Sequence, residues 1–343
     1  MIVIPFFTKL LLDWFEENRR FMPWRGESDP YKIWVSEIIL QQTRVNQGWE
    51  YYLRFIEQFP NVKTLAEAPL QDVMYVWQGL GYYSRARNMH IAAVQIMQLH
   101  NGVFPNQYQE IRKLKGIGHY TAAAIGSMAF KLPYPTVDGN VLRVISRIFG
   151  IYDDISQQKT VKKITRICEK LIDIDNPGIF NQALMELGAI QCTPKNPNCE
   201  KCPFANDCVA LAKKQVHLLP VKSSNIIIKE RFFHYFIFNK DGKTIIEQRT
   251  ENDIWKNLYQ FPLIETDSYC EKIKNKEMKK TGFGNCKPVF IKEIKHKLTH
   301  QLLTIRFYSV EEYLPVMKES WITVSDFLGF PFPKPLSGLL AKN

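Results

Sequence analysis

Four cysteines fall within seventeen residues, Cys192-x6-Cys199-x2-Cys202-x5-Cys208, and nothing else in the chain constrains its fold as strongly. Thiols this close in sequence can close around one centre, and Pro194, Pro197 and Pro203 stiffen the loop that carries them. A zinc ribbon more often shows two well separated CxxC pairs, whereas this loop has one. Thiolate-only ligation at uneven spacing fits a [4Fe-4S] cluster better. Three further cysteines make an odd total of seven with no secretory signal, which argues against a disulfide framework.

A length of 343 residues suits two domains, each able to bury a core. The net charge of +11 and a pI near 9.2 point to a polyanionic partner, most commonly nucleic acid. The start, MIVIPFFTKLLLDWFEENRR, lacks a basic leading region and a small-residue cleavage site, so it reads as an amphipathic helix. No apolar run approaches the roughly 18 residues of a membrane span. A soluble, cytoplasmic monomer without a membrane partner is expected.

Residues 1–211 show apolar spacing near 3.6 residues, broken by Gly and Pro into short helices, with no strand-like alternation. Asp29-Pro30 is a cap followed by a first-turn proline. Residues 212–230 read as a polar linker. From 231 to 343 the texture changes to an α+β domain: 232–238, 243–248 and 304–310 have strand composition, and Asn239-Lys240-Asp241-Gly242 is a hairpin turn.

Within the helical region, LKGIGHYTAAAIGSMAFKLPYPTVDGN spans Leu114 to Asn140. Gly116 and Gly118 permit a tight turn with exposed N–H groups at a helix start, an arrangement suited to a phosphate, although an ordinary turn between core helices has the same appearance. Glu37 sits in IWVSEIILQQT among apolar neighbours; desolvation there raises a carboxyl and suits a general acid, while a solvated helix glutamate is the alternative. Asp138 precedes the helix of Val141 to Phe149, where backbone N–H groups are expected to lower its pKa and keep it ionised. One raised and one lowered carboxyl is the pairing that glycosidic cleavage uses.

Taken together, PWR at 23–25, WVSEIILQQT at 34–43, GLGYYSRARN at 79–88, LKGIGHYTAAAI at 114–125, VDGNV at 137–141 and the cysteine loop resemble, in order, the MutY-type adenine DNA glycosylases of the helix-hairpin-helix superfamily. That resemblance implies a multidomain protein: an all-α helix-hairpin-helix glycosylase domain with an iron–sulfur cluster loop, and a C-terminal α+β Nudix-like domain. It implies a [4Fe-4S] cluster and, as partner, double-stranded DNA with an adenine:8-oxoguanine mispair. Glu37 and Asp138 would be catalytic, with Tyr120 and Asn140 orienting them. Trp24, Arg25, Leu40 and Gln182 would line the adenine pocket. Gln42, Thr43 and Tyr82 would enter or touch the DNA; Arg85, Arg87, Lys115, Gly116 and Gly118 would meet phosphates. Bifunctional relatives carry a lysine where Tyr120 stands, so base excision without efficient strand cleavage is implied. Leu298, Thr299 and His300 match the family's lesion-sensing loop, with Leu298 replacing the usual phenylalanine.

Two other readings share these features: a thymine or uracil mismatch glycosylase on the same scaffold, and a non-catalytic iron–sulfur DNA-binding protein. The joint presence of Glu37 and Asp138 speaks against the last.

Overall fold

The computed structural model describes residues 4–223, 228–280, 283, 286–311 and 321–339. The chain divides into two units, Met1–Glu67 with Asn88–Ser224, and Ala68–Arg87 with Asn225–Asn343. Residues 68–87, assigned from sequence to the helical domain, therefore pack with the C-terminal unit. No described helix is long and apolar enough to cross a membrane.

Every described regular element of the first unit is helical. The helices in chain order are α1 (Ile4–Asn18), α2 (Pro30–Leu40), α3 (Val45–Gln58), α4 (Val62–Glu67), α5 (Leu70–Val76), α6 (Ser84–Leu99), α7 (Tyr108–Lys113), α8 (His119–Phe130), α9 (Gly139–Phe149), α10 (Gln158–Leu171), α11 (Pro177–Glu186) and α12 (Val209–Ala212). Of these, α5 and the first turn of α6 belong to the second unit.

Phe7, Leu11, Trp14 and Phe15 of α1 recur on one helical face and are buried with residues of α9, α10 and α11. Phe7 also stacks on Phe204 at 4.4 Å, which fastens the cysteine loop to this core. In α2 the Asp29 side chain accepts from the Tyr31 N–H at 2.9 Å, Pro30 opens the helix, and everything from Ile33 to Ile39 is buried. A helix apolar on nearly all sides must lie between neighbours, and α2 packs on both α3 and α8. Ala122, Ala123 and Ala124 of α8 are buried to near zero exposure, and small side chains allow the close approach to α2 and α11.

The turn before α8 depends on Gly116, whose φ of +79° is left-handed and whose added Cβ would lie 2.7 Å from Asn88 Cβ. After α11 the chain unwinds into a wider π-helical segment, Leu187–Gln191. It brings Gly188 against the start of α9: a Cβ there would sit 2.6 Å from Asn140 Cβ and 3.1 Å from Asn140 Cα.

The second unit is built on a sheet. Its strands are β1 (Lys229–Lys240), β2 (Lys243–Ile245), β3 (Glu247–Gln248), β4 (Tyr259–Gln260), β5 (Leu263–Thr266), β6 (Val289–Lys297), β7 (Gln301–Val310) and β8 (Trp321–Thr323). The order is β6-β7-β1-β2-β8, with β5 also on β1, and β3 and β4 as a separate pair. The β1–β2 hairpin turns at Asp241 and Gly242, both at positive φ, as the Asp-Gly turn chemistry requires. Strands β1 and β7 pair in parallel over ten residues, while β6 and β7 form a hairpin whose tip is residues 298–300.

Gly188→Ala is expected to push Asn140 and its backbone aside, because neither contact is the end of a flexible side chain. A stability loss of about 1–3 kcal/mol follows for overpacking of this kind. Thermal unfolding would measure it, and an unchanged melting temperature would contradict the close approach.

Candidate active site

A cavity of about 770 Å³ opens between α2, α8, α9 and α11 and is lined by Glu37, Tyr120, Asp138 and Asn140 together. Glu37 lies mid-way along α2 and is only 8 % exposed. Burial pushes its carboxyl up to about 7, helped by the Asp138 charge and opposed by a hydrogen bond from Tyr120. The phenol of Tyr120 is itself pushed well above its ordinary value by burial and by both carboxyls, and its hydroxyl lies 3.3 Å from Met185 Sδ. Glu37 is thus a carboxylic acid that holds its proton near neutrality.

Asp138 caps α9: Oδ1 accepts from the Val141 N–H at 2.8 Å and Oδ2 from Asn140 Nδ2 at 2.7 Å. The expectation of a lowered pKa is corrected here, since burial raises it despite these donors and the nearby Arg143. The two carboxyls differ less in the sign of their shift than in their surroundings. Asp138 has several donors arranged for a carboxylate, and Glu37 has Tyr120.

Behind Asp138 a guanidinium joins three segments. Arg143 donates from Nη2 to Asn140 Oδ1 at 2.9 Å and to the Gly188 carbonyl at 2.7 Å, and from Nε to the Cys192 carbonyl at 2.8 Å. One turn on, Arg147 donates to the carbonyls of Leu219 and Thr193, both at 2.8 Å, and to Cys192 Sγ at 3.4 Å. Cys192, Cys199, Cys202 and Cys208 line one small cavity with Val144, Ile148, Leu187 and Leu211. Among the described residues, no three His, Cys, Asp or Glu side chains gather around a single-ion position, and the four thiols instead ring this shared space. Burial raises the thiols of Cys199, Cys202 and Cys208, that of Cys202 to about 11. Soft donors around an apolar space, with an arginine N–H directed at one sulfur, fit a thiolate-held cluster, whose binding would release those protons.

The remaining cavity walls include Trp24, Arg25, Leu40, Gln182, Gln42, Thr43, Gly116 and Gly118. Gln42 is exposed at a left-handed φ of 57°, a strained setting for a side chain other than glycine. Gly118, in contrast to Gly116, has extended backbone and open space where a Cβ would stand. Lys115 is exposed, and its N–H donates to Gln95 Oε1 at 2.8 Å.

Glu186 is a cavity residue that the sequence reading missed. It is 3 % exposed and accepts from Arg20 Nε at 2.7 Å, Arg20 Nη2 at 3.0 Å and Arg25 Nη2 at 3.0 Å. Burial alone would raise its carboxyl, but the bonds and charges of the two arginines take it below the ordinary value. Its signal was its place one turn after Gln182 on α11. For Arg143 and Arg147 the signal was their four-residue spacing immediately after VDGN.

In the second unit Tyr82, Arg87, Leu298, Thr299 and His300 line a cavity of about 530 Å³, with Trp255, His296 and Lys334. The Tyr82 and Thr299 hydroxyls are hydrogen-bonded, and Tyr82 is exposed at a φ of 48°. The assignment of Arg85 to phosphate contact is corrected. Arg85 is 8 % exposed, its guanidinium lies over the Trp77 and Tyr82 rings, and it donates to the Gly81 carbonyl at 3.1 Å. Arg87 is half-buried and donates to the Lys256 carbonyl at 2.8 Å.

The chain resembles known proteins over most of its length. Residues 35–177 match the HhH-GPD superfamily of base excision DNA repair proteins, 192–208 the iron–sulfur binding domain of endonuclease III, and 234–342 the NUDIX domain. The chain is 34% identical to an adenine DNA glycosylase of Buchnera aphidicola from Acyrthosiphon pisum, over 97% of this chain and 96% of that one. It belongs to the adenine DNA glycosylase family.

A second family member, from Buchnera aphidicola of Schizaphis graminum, is 37% identical over 89% of this chain and 87% of its own. The solved structure of a thermostable thymine-DNA glycosylase superposes with a TM-score of 0.57 and 28% identity, covering 61% of this chain and 97% of that one. This glycosylase is accordingly a DNA repair enzyme with an iron–sulfur binding loop.

Glu37 carries a stability consequence. Its folded pKa of about 7 lies above the ordinary 4.5, so its contribution is present while it is protonated and is lost as pH rises from 4.5 through 7. Glu37→Gln removes that loss. The variant is expected to be more stable than the parent glycosylase by about 3 kcal/mol at pH 8, with a smaller difference at pH 5. Melting temperatures at the two pH values check this, and a difference independent of pH would contradict the buried acid.

Proposed function

We propose that this enzyme is a monofunctional adenine glycosylase that removes adenine mispaired with 8-oxoguanine, or with guanine, by hydrolysing the N-glycosidic bond. The observation that carries the reading is that Glu37 and Asp138 line one cavity while Glu37 keeps its proton near neutrality. In this mechanism the adenine is turned out of the duplex into the cavity, between Trp24, Arg25, Leu40 and Gln182. Glu37 gives its proton to N7, the C1′–N9 bond electrons pass to the purine, and the Asp138 carboxylate stabilises the sugar cation. Glu37, now ionised, takes a proton from the water that attacks C1′, which restores the acid. Tyr120 has no amine, so no imine with the sugar forms and the strand stays intact.

Recognition of the opposite base is assigned to the hairpin tip of Leu298, Thr299 and His300 beside Tyr82. Oxidation at C8 gives guanine an N7–H donor in place of an acceptor, and the Thr299 hydroxyl can accept from it. The four cysteines are assigned to a [4Fe-4S] cluster, supported by their all-thiol composition and shared cavity.

Duplexes carrying one adenine opposite 8-oxoguanine, guanine or thymine, and one thymine opposite guanine, test the reading. Breaks are expected only after alkali and only for the first two. Breaks at the thymine:guanine pair alone would transfer the enzyme to the mismatch glycosylases. Because the acid must be protonated, the rate is expected to fall as pH rises through about 7, and Glu37→Gln to lose roughly 10²- to 10⁴-fold. For the cofactor, the purified protein is expected to be brown with about four irons per chain; a colourless, zinc-loaded protein would refute that assignment.

A further inference from the structure

Phe21 is 80% exposed, more than any other large apolar side chain described in the protein. It lies between Arg20 and Met22, both of which line the catalytic cavity. Its ring stands 5.7 Å from Trp49, whose ring meets Trp24 edge-on at 6.2 Å, and Trp24 in turn packs on the buried Tyr52 at 5.3 Å. Trp24 is a cavity wall, as is Val45, one helical turn before Trp49 on α3. A ladder of aromatic rings therefore continues from the cavity wall to solvent. Exposed arginines flank it in sequence, Arg19 before Phe21 and Arg44 before Val45.

We propose that Phe21 and Trp49 form a stacking surface beside the cavity that holds the substrate adenine after it leaves the duplex and before it enters the pocket. The proposal rests on the adenine-excision reading and adds a second subsite to it. An extruded base has lost its stacking partners, and an aromatic face restores part of what extrusion costs. The surface is continuous with the pocket through Trp24, so the base can pass from one ring to the next. Of the flanking arginines, Arg19 is paired with Glu16 at 2.9 Å, and the exposed Arg44 suits a phosphate beside that nucleotide.

The test places 2-aminopurine at the adenine position opposite 8-oxoguanine and follows its fluorescence in stopped flow, with Phe21→Ala, Phe21→Leu and Phe21→Tyr in the full-length protein. Stacking of one base predicts that Ala and Leu slow the extrusion phase roughly tenfold while Tyr stays near the parent rate. The pH midpoint of adenine excision, set by Glu37, is expected to be the same in all four proteins. Extrusion equal in all of them overturns the proposal, as does a Tyr variant as slow as Ala. If the parent protein releases no adenine while Ala and Leu still slow extrusion, the subsite stands and the excision reading falls.

Discussion

The guanidinium of Arg143 is the constraint on which the catalytic unit depends. A buried cation must have its N–H groups satisfied, and the acceptors here come from the start of α9, the π-helical segment and the cysteine loop. These segments also meet in one apolar core, through Val144, Leu187 and Phe204, and the guanidinium ties their polar groups together. Asn140, which steadies the Asp138 carboxylate, is therefore held by the same side chain that holds the Cys192 carbonyl. The close seat of Gly188 on Asn140 follows from this convergence, since a larger residue would drive the acceptors apart. The iron–sulfur binding loop and the candidate active site thus share a structural support.

Three carboxyls line the catalytic cavity, and their environments separate them. Glu37 lies on a helix buried on nearly every side and holds its proton. Asp138 stands at a helix start among N–H donors. Glu186 is bonded by Arg20 and Arg25, and its charge offsets part of theirs at the wall. Only the first is suited to giving a proton away. In the proposed mechanism Glu37 and Asp138 would be the acid for the leaving base and the anion for the sugar, in one space.

Some of this was legible along the chain. The run IWVSEIIL set Glu37 among apolar neighbours, which made burial one of the two readings open to it, and the Asp-Gly turn announced the β1–β2 hairpin. Other features were hidden because they depend on distant partners. Asp138 showed its cap donors in sequence but not the depth of burial that reverses their effect. Arg85 looks like any exposed arginine in GLGYYSRARN, and only the Trp77 and Tyr82 rings reveal that it is enclosed. The packing of 68–87 with the second unit has no local signature. Nor has the parallel pairing of β1 with β7, between strands some seventy residues apart.

The sequence by itself determined which groups the chain could use: four spaced thiols, a glutamate in an apolar helix and an aspartate at a helix start. These are properties of residue type and short spacing, fixed by covalent geometry and helix periodicity. Tertiary structure decided what those groups became. It brought Glu37 and Asp138 to one cavity, raised both carboxyls through desolvation, enclosed Arg85, and joined Asn140 to the cysteine loop through Arg143. Desolvation and hydrogen-bond satisfaction depend on what surrounds a group in space, and that is settled only when distant segments pack.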